Sequence, residues 1–180
     1  KGMDLTDTHT NTNARLTMIT DNLEEQKALQ EAIFAAADRS RGSYVEMANA
    51  TAKMKMLAGD AFGSNEEALG FTELLQKSLK VSGAGTSESA FLQLTQAMAA
   101  GKLQGDEFRS IMENAPMVAN AISQYLGVTK GELKELSSDG AITADIIKNA
   151  MFNAADDING KFAQMPMTFA DVWQKIKNAG

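Results

Sequence analysis

The stretch "YLGVTKGELKELSSDGAITADII", Tyr125 to Ile147, decides what kind of fold this chain has. Gly127 closes an apolar segment, and Thr129 stands three residues before Glu132. Gly140 then closes a second apolar segment, and Thr143 precedes "ADII". In a Thr-x-x-Glu pair the hydroxyl accepts from a free N–H of the first turn while the carboxylate reaches back to the cap residue's own N–H. Glycine just past the last turn supplies the left-handed residue that ends a helix. The stretch therefore encodes helix, corner and helix. Such a pattern serves two kinds of protein: a helix-turn-helix that reads DNA, or a helical domain whose helices pack through glycine corners.

The side chains favour packing. A recognition helix aims Arg, Lys, Asn or Gln at base edges and sets basic groups against phosphates. From Tyr125 to Lys148 there are three lysines (Lys130, Lys134, Lys148), four acids (Glu132, Glu135, Asp139, Asp145) and no arginine. The second helix opens Ala144-Asp145-Ile146-Ile147, so an acid would lead into the groove, followed by two apolar residues that want a core. Leu133, Leu136, Ile146 and Ile147 are expected to face inward. A helix-turn-helix-like DNA-binding or regulatory module remains the alternative.

The same punctuation recurs along the chain. Asp21 with Glu24, Ser43 with Glu46, and Ser64 with Glu67 repeat the capping spacing, and Thr168 with Asp171 is a looser version. Gly42, Gly59, Gly83 and Gly101 stand where helices should stop. Pro116 suits a first turn, and Pro166 ends one helix before Thr168 starts another. These signals predict helices near 21–40, 43–58, 64–81, 87–100, 105–114, 116–126, 130–138, 143–164 and 168–179. Apolar stripes at steps of three and four support them: Ile147, Met151, Ala154, Ile158 and Phe162 in one helix, Phe108, Ile111 and Met112 in another. Phe169, Val172, Trp173 and Ile176 form a third stripe, expected to pack on the Ile147–Phe162 helix or on a second copy. The fold class is all-α, a compact bundle of roughly eight or nine helices joined by short capped turns. The polar residues 1–20 read as a flexible lead-in, with "RLTMIT" (15–20) ambiguous between strand and helical turn. Residues 21–180 read as one helical domain, a fragment of a longer protein.

Composition narrows the chemistry. The 180 residues include 11 methionines, one histidine and no cysteine, and the net charge is −6. Disulfides, thiolate metal sites and thiol nucleophiles are excluded. Neither half of the chain is basic, so nucleic acid would meet a weakly repulsive surface. No apolar run approaches the ~20 residues that span a bilayer. His9, in the polar lead-in, has no partner of its own kind. The methionines suit core filling, with an adaptable binding surface as the other possibility. The acidic pairs Glu24/Glu25, Glu66/Glu67, Asp106/Glu107 and Asp156/Asp157 are neighbours in sequence, so they diverge by ~100° on a helix and complement its dipole instead of sharing a proton. "DING" (157–160) has the wrong ligand spacing for a calcium loop. "SGAGTSES" (82–89) lacks the Gly-Lys-Ser/Thr ending of a phosphate loop and reads as a helix stop followed by a Thr86 cap. No catalytic, cofactor-binding or metal-binding residue is assigned.

The pieces "QAMAAGKLQGDEFRSIMENAP" (96–116), "YLGVTKGELK" (125–134) and "AQMPMTFADVW" (163–173), in that order, resemble the N-terminal region of phage tail tape measure proteins. The likeness spans roughly residues 23–178. It implies a virion structural protein of a phage or prophage tail, made in the bacterial host cytoplasm. Its partners would be tail tube and tail assembly proteins, and its role tail assembly and length determination. The resemblance brings no catalytic residues with it. Some members carry cell-wall-degrading domains, a further alternative that no motif here matches.

Overall fold

The computed structural model describes residues 11–83, 87–167 and 169–179. Every regular element among them is helical. α1 covers residues 11–16. α2 (Leu23–Arg39), α3 (Tyr44–Ala58), a 3-10 turn (Gly59–Ala61) and α4 (Asn65–Ser82) follow. Then come α5 (Ser87–Ala100), α6 (Gly105–Asn114), α7 (Pro116–Leu126) and α8 (Lys130–Ser138). α9 (Ala144–Asn153), α10 (Ala155–Gln164) and α11 (Phe169–Ala179) complete the order.

That makes 11 helices where eight or nine were expected. The first addition is α1, in the polar stretch, where a single buried leucine gives no periodicity to read. The second comes from the expected 143–164 helix, which breaks at Ala154 into α9 and α10. No proline or glycine marks the break. The apolar stripe survives it: Ile147, Met151, Ala154, Ile158 and Phe162 are all buried.

The capping signals hold nearly to the residue. The Ser43 and Ser64 hydroxyls each accept from the backbone N–H three residues on, at 3.1 Å. At α2 the cap is Asn22, one place later than expected, accepting from Glu25 N–H at 2.8 Å. α2 ends differently from its expected glycine stop: Arg41, not Gly42, takes the left-handed conformation at φ 59°. Pro116 opens α7 as anticipated. The Thr86 and Thr168 caps and His9 lie outside the described residues.

The chain groups into two compact units. The first takes in the described parts of Lys1–Met56 and Met167–Gly180, together with Phe62–Glu73. Its core gathers Leu29, Ile33, Ala36 and Ala37 of α2, Tyr44, Met47 and Ala48 of α3, and Leu69 of α4. Leu16 of α1 is wholly buried in the same cluster. Residues 13–19 are tied down further. Tyr44 Oη donates to Asn13 Oδ1 at 2.7 Å, and Asn65 Nδ2 donates to the Ile19 carbonyl at 2.7 Å. Burial pushes the Tyr44 hydroxyl's pKa up to about 12 by disfavouring the phenolate.

The second unit is Leu57–Ala61 with Leu74–Pro166. α7 and α9 pack on each other at its centre, α5 packs on both α6 and α9, and α8 closes against α6 and α7. Phe108 and Ile111 of α6 are buried, with Met112 half-buried, as their spacing predicts. Four methionines with expected core positions (Met54, Met98, Met117, Met151) are buried, whereas Met56 and Met167 are exposed.

Candidate functional site

The Tyr125–Ile147 corner is the place to look for an interaction surface, and its geometry answers the opening alternatives. Gly127 ends α7 at φ 67° and Gly140 follows α8 at φ 69°, a conformation that strains any residue with a Cβ. Between them the Thr129 cap is complete. Glu132 N–H donates to Thr129 Oγ1 at 3.1 Å, and Thr129 N–H donates to the Glu132 carboxylate at 3.0 Å. The Thr129 backbone N–H first, and the Thr129 hydroxyl second, hold the Glu132 carboxyl below its ordinary pKa. A carboxyl depressed by folding stabilises the fold above its unfolded pKa and loses that contribution as pH falls through the folded value. Thr129→Ala should cost about 1 kcal/mol in denaturant unfolding through loss of the hydroxyl cap, while the retained Thr129 backbone N–H keeps most of the Glu132 depression in an NMR titration.

α9 begins locked to the chain before α6. Leu103 N–H donates to the Ile142 carbonyl at 2.8 Å, and Ala144 N–H to the Gly101 carbonyl at 2.9 Å. An antiparallel bridge between Lys102 and Thr143 sits between those bonds. Sequence patterning missed this two-bond clamp, since "GKL" and "ITA" carry no strand signal. Thr143 Oγ1 caps α9 by accepting from Ile146 N–H at 3.3 Å. Leu133 and Ile147 are buried, and Leu136 and Ile146 are half-buried. Lys148, a would-be phosphate contact, turns inward: its Nζ donates to the Ala61 carbonyl at 3.1 Å and lies 3.9 Å from Asp145. Asp145 is the exposed residue at the start of α9. The corner is built for packing within the second unit. Duplex DNA at ~0.15 M salt should migrate unretarded with low-micromolar protein, a concentration well above the ~10⁻⁸–10⁻¹¹ M at which specific DNA readers bind.

The other candidates also take structural places. All four acidic pairs lie in first turns, of α2, α4, α6 and α10. "DING" lies inside α10, where Asp157 pairs with Lys161 at 3.3 Å and Asn159 Oδ1 accepts from buried Lys77 Nζ at 2.8 Å. That ammonium also lies 5.6 Å from the Phe162 ring centroid. Among the described residues no cluster of three or more His, Cys, Asp or Glu is placed to hold a metal ion. A shallow hollow of about 370 Å³ opens between the 3-10 turn, the end of α5 and the start of α9, with Asp60, Thr143 and Asp145 on its wall.

α11 packs on α2 of the same unit. Two polar contacts join them: Lys175 Nζ lies 3.3 Å from the Asp38 carboxylate, and Asn178 Nδ2 donates to the Gly42 carbonyl at 2.8 Å. Val172, Trp173 and Ile176 are 44, 53 and 56% exposed. Periodicity showed that an apolar face exists but not which way it would point. The isolated chain's one tryptophan should therefore emit at the long wavelength of a hydrated indole; a blue-shifted emission would contradict this arrangement.

A family profile described as tape measure protein matches residues 1–179. The chain belongs to the tape measure protein family. Comparison with curated proteins and with solved structures gave no match. Membership makes this a phage tail protein of a structural family, as its motif order implied. The corner that imitates a DNA reader is thus a packed corner of a tape measure protein. No helix among the described residues is long and apolar enough to cross a membrane.

Proposed function

We propose that the chain is a folded module of a phage or prophage tail tape measure protein that acts by contact during tail assembly and length determination, and not by its own extended length. One observation carries this. The longest described helix, α4, has 18 residues and spans about 27 Å at 1.5 Å per residue, whereas 180 residues in one helix would reach ~270 Å. Helix after helix here is stopped by a cap or a corner and buries an apolar face on a neighbour. A segment that measures by length has no use for such stops. Tail tube and tail assembly proteins are the partners this role calls for, met after synthesis in the host cytoplasm and retained in the virion tail.

Purified tails test the reading. Peptides of this chain should appear by mass spectrometry in intact tails, at a ratio to tail tube protein that is constant between preparations. Their absence from tails, with the chain present in the host lysate, would overturn it.

A further inference from the structure

Two features of α11 combine. Among its described side chains the ones turned inward are Gln174, Lys175 and Asn178, while Val172, Trp173 and Ile176 are exposed, the reverse of a helix held by burial. Its named contacts are the Lys175–Asp38 pair at 3.3 Å, with both side chains more than two-fifths exposed, and the Asn178–Gly42 hydrogen bond. Exposed pairs of this kind stabilise little and are screened by salt. The second feature is connectivity. The first unit is interrupted in sequence by the second, and α11 is the helix by which the chain rejoins the first unit after Pro166.

We propose that α11 is a detachable clasp, the first described helix to leave the fold, held to the end of α2 by Lys175 and Asn178 and released without loss of the cores of either unit. Leu29, Ile33, Ala36 and Ala37 of α2 cluster with α3 and Leu69, a core to which Val172, Trp173 and Ile176 do not belong, so that core is expected to stay packed when α11 leaves. A pull or a partner acting on the chain beyond Pro166 reaches this clasp before it reaches a buried helix. The proposal rests on the assembly role only for its use. The fold property stands or falls separately, because its test reads the purified chain and not the tail.

Hydrogen exchange followed by mass spectrometry on the whole 180-residue chain tests it. α11 peptides should exchange on the order of 100-fold faster than α9 peptides. The Lys175→Ala/Asn178→Ala double variant should speed α11 by a further ~3-fold or more, leaving α3 and α9 unchanged; added salt should act in the same direction on the unmodified chain. Exchange of α11 at the rate of α9 would overturn the proposal. So would a double variant that leaves α11 unaffected, the mark of a helix merely frayed, or one that accelerates α2 and α3 as much as α11, the mark of a helix integral to the core.

Discussion

Phe108→Ala should destabilise the second unit by about 3–5 kcal/mol, the cost of removing a buried ring and leaving its space unfilled. Phe108 is 8% exposed, on the face of α6 that also carries buried Ile111. α6 packs against α5, α7 and α8, so the lost ring is felt by several helices together. Its surroundings have limited means of collapse. Pro116 starts α7 directly after Ala115, whose N–H is bonded to the Ile111 carbonyl at 2.9 Å, and Met117 N–H donates to Ser82 Oγ at 3.3 Å. Urea unfolding followed by far-UV circular dichroism should show the midpoint falling with the slope unchanged. An unaltered midpoint would mean that Phe108 is not packed as described.

Leu16→Ala should cost about 2–5 kcal/mol, a large penalty for a change in a stretch that composition reads as lead-in. Leu16 is fully buried against a cluster from α2, α3 and α4, and residues 13–19 add hydrogen bonds to Tyr44 and Asn65. Losing the side chain should also loosen those bonds, so exchange at Ile33 and Met47 amides should accelerate with it. A truly loose segment would show neither effect.

These two residues mark the limits of what the sequence discloses. Phe108 sits in a stripe with Ile111 and Met112, and helical spacing alone identifies its inward face. Leu16 has Ile19 a turn after it but only Asn13 and Thr12 a turn before, too short a run to show a period; the pocket formed by α2, α3 and α4 reveals it. Caps behave like Phe108. Ser43, Ser64, Thr129 and Thr143 act through neighbours three residues on, and local chemistry is written locally. Asn22 displaces Asp21 because either side chain can accept from a free first-turn N–H, and the chain's approach decides between them. Arg41 takes the left-handed position beside Gly42, where glycine would be the cheaper choice, and the sequence gives no sign of it. The clamp between residues 101–103 and 142–144 is a tertiary pairing about 40 positions apart in the chain, beyond any local pattern. α11 shows the same limit from the other side. An amphipathic period reports two faces, while the orientation follows from Asp38 and Gly42, more than 130 residues away.

The candidate surface at the Tyr125–Ile147 corner was legible for the same local reasons. Glycine and threonine place the corner, and four acids with no arginine argue against DNA reading from the sequence alone. What local patterning could not supply was the inward turn of Lys148 to Ala61, which removes one of the three lysines from the surface.

Tail length measured by electron microscopy, after in-frame removal of the codons for these 180 residues from the gene that carries them, tests the central claim most directly. A module that acts by contact in assembly and length determination predicts that tails fail to assemble or lose their uniform length. Tails that assemble normally but are shorter by ~270 Å, the reach of 180 residues in one helix, would show that this stretch is part of the ruler.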